Sequence, residues 1–139
     1  MDTRFGPFLF IVVQCQTCVF KSCWTTYPVN CLLSKVSGKT FEVESTFHRY
    51  VRPVRHPLLS IFCTELTGIT QDAVAAEDDF EKVFADFNAW LAAESVIGSR
   101  FAFVTCGDWD LKTMLPNQCA DVGAAVPGYF GRWINLKVM

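Results

Sequence analysis

Apolar and polar positions alternate along this chain in ways that predict most of its elements. Phe8 to Val13 is a continuous apolar run of aromatic and β-branched residues, the pattern of a strand buried on both faces. Pro28 to Leu33 reads as a second, shorter strand. Ser37-Gly38-Lys39 is a turn signal. From Thr40 to Val51 the pattern changes to strict alternation. Phe41, Val43, Ser45 and Phe47 fall on one side, Glu42, Glu44, Thr46 and His48 on the other, as in a half-buried hairpin strand. Pro53 and Pro57 close it.

Period 2 then gives way to helical spacing. Leu58 to Thr70 is compact and irregular, with room for a short helix, and 72–94 carries the clearest helical pattern. Asp78 with Glu81 forms a capping-box signature. Phe80, Val83, Phe84, Phe87, Trp90 and Leu91 recur on one face, as expected of a helix packed on a sheet. Arg100 to Thr105 reads as a buried strand, Trp109 to Leu115 as a helix, and Trp133 to Val138 as a last strand. The order is that of an α/β chain with a mixed sheet and flanking helices.

Composition narrows the class. The 139 residues fit one domain; 51% are hydrophobic, including 13 Phe and 4 Trp, which excludes a disordered chain. No apolar run is long enough to span a bilayer. Residues 1–70 carry a net charge of +3 and residues 71–139 a net of -5, so any polyanion contact must be local. Seven cysteines, an odd number, point to a reduced intracellular chain, in cytoplasm or nucleus, rather than a disulfide scaffold. Cys15-x-x-Cys18 has zinc-knuckle spacing, but Cys23 and Cys31 do not repeat it, so packing is the simpler account. His48 and His56 are not at metal spacing.

The segment best placed for chemistry is Gly107-Asp108-Trp109-Asp110, where a buried strand hands over to a helix. Ligands of open α/β sheets bind at that end of the strands. One acid is expected to cap the helix and the other to face the cleft. Cys106 beside them reads as packing. Arg49, Arg52 and Arg55 form a basic cluster able to contact phosphates, though an ordinary solvated loop has the same composition.

Four strings in order, YVRP (50–53), FCTELTGIT (62–70), FVTCGDWDLKTMLPNQC (103–119) and YFGRWINLK (129–137), resemble the enhanced-RNAi / three-prime histone-mRNA exoribonuclease family, and most of all its prion-protein-interacting exoribonuclease branch. The likeness covers about residues 40–138; residues 1–39 are divergent. It implies an RNase H-like fold of the DEDDh 3′–5′ exonucleases and trimming of single-stranded RNA 3′ ends with Mg²⁺ or Mn²⁺. Asp110 matches the family's middle metal-binding Asp. Trp109 matches the Trp that holds the terminal base. Leu66, Thr67, Gly68 and Ile69 match the segment lining the terminal-nucleotide pocket.

The departures change the expectation. The family's first strand ends in a pattern like D-F-E-A-T-C. With one residue deleted, Gln14 and Gln16 fall at the Asp and Glu. The final His…Asp motif is not found before Met139. The resemblance therefore predicts one partial exonuclease domain over 1–139, truncated or degenerate. It keeps at most one metal carboxylate, Asp110, binds metal poorly, and has little or no nuclease activity alone. The alternative is a non-catalytic module that binds RNA, or a protein partner covering an exposed sheet face.

Overall fold

The computed structural model describes residues 8–20, 25–54 and 57–138. Five strands form one sheet: β1 (Leu9–Phe20), β2 (Thr25–Ser37), β3 (Val43–Tyr50), β4 (Phe101–Thr105) and β5 (Trp133–Asn135). Their spatial order is β3-β2-β1-β4-β5. β1 pairs antiparallel with β2, and β2 with β3. β4 joins β1 in parallel, and β5 joins β4 in parallel. The helices are α1 (Ile61–Thr67), α2 (Gln71–Ala75), α3 (Phe80–Ala93) and α4 (Leu115–Val122), the last continuing a π-helical turn over Asp110–Met114.

One face of the sheet makes the core. Ile11, Val13, Leu33 and Phe103 lie buried against Phe80, Val83, Phe84, Phe87 and Leu91 of α3. Leu111, Leu115 and Cys119 join them from the π turn and α4, and Phe130 from the following loop. The rings of Phe103 and Phe130 stack at 4.8 Å, and Phe47 meets Phe87 at 5.8 Å. Each such buried side chain stabilises the fold by roughly 1.5–3 kcal/mol. The aromatic stripe of α3 is thus core, as its spacing predicts. A second cluster joins Val29 to Cys63, Ile69 and Val74 under α1 and α2.

The hairpin between β2 and β3 is locked locally. The Ser37 hydroxyl accepts from the amides of Lys39 and Thr40. Gly38 donates its N–H to the Phe8 carbonyl at 2.8 Å. A Cβ at Gly38 would sit 2.4 Å from that oxygen, so only glycine fits.

Several elements differ from expectation. β2 runs from Thr25 to Ser37, longer than the stretch from Pro28 to Leu33, because β1 pairs along its whole length. The 72–94 helix is split into α2 and α3. The N-cap of α3 is Asp79, whose side chain accepts from the Lys82 amide, and not Asp78. The helix expected to end at Leu115 continues to Val122. Pro116 lies in its first turn, where a missing N–H costs little. β5 stops at Asn135 and passes into a 3₁₀ turn. Cys63 is disulfide-bonded, so the expectation of a wholly reduced chain does not hold there. Cys15, Cys31, Cys106 and Cys119 are free. No helix among the described residues is long and apolar enough to cross a membrane.

Candidate nucleic-acid site

The two acids after β4 have separate roles, set by their surroundings. Asp108 is exposed, and one carboxylate oxygen accepts from Trp133 Nε1 at 2.9 Å and from Asn135 Nδ2 at 3.0 Å. Asn135 in turn accepts from the Gly107 amide at 2.9 Å. Gly107 stands at φ 103°, a conformation that favours glycine. Asp108 therefore ties the β4 loop to β5. It does not cap the following helix with its side chain, contrary to the expectation for one of the pair.

Asp110 opens the π turn and is half-buried. Its carboxylate accepts from the backbone N–H of Cys15 on β1. Burial raises its pKa from the ordinary carboxyl value, and the Cys15 amide opposes that rise. A cavity of about 50 Å³ lies beside it, walled by Val13, Cys15, Cys31, Phe84 and Met114 among others. The Cys15 sulfur lies 3.4 Å from that of Cys31. This hydrogen bond, then burial, push the Cys15 thiol well above its usual value.

Gln14 and Gln16 are not there. Successive strand residues point to opposite faces, and the glutamines lie exposed on the face away from Cys15. Gln16 accepts from Asn30 Nδ2 at 2.8 Å, and Asn30 Oδ1 lies 2.6 Å from His48 Nε2. These three form a polar ladder across β1, β2 and β3. This corrects their placement as substitutes for metal-binding acids: the β1 residues on the Asp110 side are Val13 and Cys15. The signal lay in Thr17-Cys18. Overlaid on D-F-E-A-T-C without a gap, the chain puts Val13 at the Asp and Cys15 at the Glu.

The other expected residues divide. Trp109 is 46% exposed and Leu66 is 70% exposed, so neither is core. Gly68, at φ 74°, ends α1, and the space a Cβ would enter is open. Thr67 is engaged locally, its hydroxyl donating to the Cys63 carbonyl and accepting from the Ile69 amide. Ile69 is buried in the second cluster and lines no surface, a correction to its assignment. α1 packs against β1, the strand whose Cys15 amide holds Asp110.

The arginines are also reassigned. Arg49 donates to Asp86 at 2.8 Å and to Asp78. Arg52 donates its Nε to the Glu77 carbonyl at 3.1 Å and its amide to the Asp78 carbonyl. Both fasten β3 and its following loop to the start of α3; Arg49 pairs with two carboxylates there, whereas the Arg52 guanidinium is held through its Nε. Arg55 and His56 lie outside the described residues, as do the side chains of Cys18 and Cys23. No group of three His, Cys, Asp or Glu among the described residues is arranged to hold a metal ion.

Comparison with known proteins agrees with this geometry. Residues 33–139 match the family model described as Exonuclease. ERI1 exoribonuclease 3 of Homo sapiens and of Bos taurus are each 51% identical over 105 residues, covering 74% of this chain and 31% of theirs. The 3′-5′ exonuclease Snipper of Drosophila melanogaster is 36% identical, covering 75% of this chain and 42% of its own. The chain thus spans about a third of the ERI1 exoribonuclease 3 relatives. The nuclease domain of 3′hExo, a DEDDh family member solved bound to rAMP, superposes with a TM-score of 0.86 at 27% identity, over 98% of this chain and 69% of that one. The fold likeness therefore includes β1, which the family model does not reach. With its RNase H-like sheet and its Trp109-Asp110 motif after β4, the chain belongs to the exonuclease family, in the DEDDh group that holds ERI1 and 3′hExo.

Proposed function

We propose that this chain, as a single exonuclease-type domain, binds single-stranded RNA 3′ ends and hydrolyses them poorly or not at all by itself. The observation that carries this reading is the identity of the residues facing Asp110. DEDDh enzymes use divalent ions, and two such ions about 4 Å apart need several carboxylates to offset their charge. Here Asp110 is joined by a valine and a thiol. Its own carboxyl is shifted toward the neutral form. These residues do not fit a pair of Mg²⁺ or Mn²⁺ ions.

RNA binding does not depend on that set. Trp109 offers an exposed indole, and Leu66 with Gly68 offers an apolar edge with open backbone beside it. Stacking of a base on an aromatic ring supplies ~1–3 kcal/mol and needs no metal. Solved relatives point the same way: one is bound to rAMP, and another is described by 3′-end-specific recognition of a histone mRNA stem-loop.

The test uses 5′-labelled single-stranded RNA. Binding is expected in EDTA and weakens with salt. Trp109→Ala lowers affinity roughly tenfold. No shortening is expected with Mg²⁺ or Mn²⁺. Metal-dependent shortening that disappears in Asp110→Asn would overturn the reading in favour of an active 3′–5′ exoribonuclease. Absence of binding by a folded chain would overturn it in the other direction.

A further inference from the structure

Cys15 and Cys31 are direct partners across the antiparallel pair of β1 and β2, with sulfurs 3.4 Å apart. On β1 Leu9 turns its N–H to the Arg100 carbonyl, away from β2, and Cys15 lies an even number of residues further on. On β2 Val29 accepts from the Val51 amide on the β3 side, and Cys31 lies two residues further on. The two cysteines therefore occupy a non-hydrogen-bonded position of the ladder. There the Cα atoms approach to about 4.5 Å and side chains come closest. That separation lies within the range a disulfide spans. Both thiols are free. Cys31 is 8% exposed and Cys15 is more open, so a small oxidant meets Cys15 first; the thiol, held protonated by Cys31 and by burial, reacts slowly at neutral pH and faster as pH rises.

We propose that Cys15 and Cys31 form a reversible disulfide, a modification site on the wall of the Asp110 cavity. Hydrogen peroxide is an oxidant small enough to act there. The Cys15 sulfur attacks one peroxide oxygen and the O–O bond breaks, leaving a sulfenic acid and one water. The Cys31 sulfur then attacks the Cys15 sulfur. The S–S bond forms, the S–O bond breaks, and the second water leaves. Two thiols lose two electrons and two protons, and the peroxide is reduced to two waters. A thiol reductant reverses the bridge by exchange. The bridge would close the segment 15–31 and restrict the unfolded chain.

The full chain, with Cys15 and Cys31 reduced, is treated with graded hydrogen peroxide, alkylated, and mapped by mass spectrometry. The expected product is lighter by two hydrogen atoms, holds Cys15 and Cys31 in one linked peptide pair, and reverts with dithiothreitol. Its thermal midpoint rises by roughly 5–10 °C. Cys31→Ser abolishes the linked pair and that rise, leaving Cys15 as a sulfenic acid trapped by dimedone. Cys106, exposed at the end of β4, is the internal control for oxidation. If Cys15 and Cys31 both stay alkylatable in a folded chain whose Cys106 is oxidised, the proposal fails. It fails equally if Cys15 links to a different cysteine. Neither result depends on RNA binding, so this inference and the proposed function stand or fall separately.

Discussion

Asp108 and Asp110 are two residues apart and carry the same functional group, yet only one faces the site. Asp108 is exposed, and one of its carboxylate oxygens accepts from both Trp133 and Asn135, a structural clamp between β4 and β5. Asp110 is half-buried, held by one amide, with its pKa raised chiefly by burial. That shift has a consequence for stability. At acid pH the carboxyl is protonated in both folded and unfolded chains and costs nothing. As pH rises through the raised folded pKa, a charge must be kept in a partly desolvated place, and stability is lost. Asp110→Asn keeps an oxygen for the Cys15 amide and removes the charge. Its thermal midpoint is expected to match the unmodified chain near pH 3 and to exceed it at pH 7. A difference that does not grow between those two pH values contradicts this account. Trp109 was recognisable from its motif, but its availability is a fact of exposure that no local pattern encodes.

At the scale of elements, the start of α3 shows what spacing does and does not specify. In the sequence Asp78-Asp79-Phe80-Glu81 the capping-box spacing points to Asp78. Asp79 caps, accepting from the Lys82 amide at 3.1 Å, while Asp78 reaches across to Arg49. Lys82 and then Arg49 hold the Asp86 carboxyl below its ordinary range, so the same arginine ties β3 to two points on the segment 78–86. Asp79→Ala is expected to cost about 1 kcal/mol of unfolding free energy. Asp78→Ala removes a partly exposed ion pair and is expected to cost less, about 0.2–1 kcal/mol. Urea denaturation of both variants decides the order; a larger loss for Asp78→Ala would return the cap to that residue. The helix after Asp110 teaches a related lesson. The expected helix ends at Leu115, just before Pro116. The chain instead winds one π turn, with the Leu115 amide reaching the Asp110 carbonyl, and places the proline where its missing N–H is harmless.

At the scale of the whole molecule, the site is a convergence of β1 with the turn after β4, about 95 residues later. Register on β1 decides everything there, because a shift of one residue moves every side chain to the other face. Two double variants test that register. Val13→Asp with Cys15→Glu adds carboxylates on the Asp110 side. It is expected to bind Mn²⁺ in the micromolar to millimolar range by titration, and to lower the thermal midpoint, since buried charges are costly without metal. Gln14→Asp with Gln16→Glu adds the same charges on the opposite face and is expected to gain no Mn²⁺ binding beside Asp110. The reverse outcome would return the glutamines to the metal positions.

Short-range physics is written directly in the chain. The aromatic stripe of α3 and the strand before Gly107 follow from a hydrophobic period, and a mixed α/β sheet follows from the order of elements. The run from Phe8 is a strand, but one buried on alternate residues and not on both faces. The alternation after Thr40 becomes strand only from Val43, with Phe41 and Val43 exposed. The motif around Trp109 and Asp110 identified the family. What the sequence left open depends on contacts between distant segments. Val13 and Cys15 face Asp110 because β1 pairs with β2 and β4 in one register. Arg49 is taken up by Asp78 and Asp86 because α3 begins beside β3. Ile69 is buried because Val29 lies beneath it. Burial, register and ion pairing are set by what packs opposite a residue, so only the tertiary structure decides which of the candidate groups are free to act.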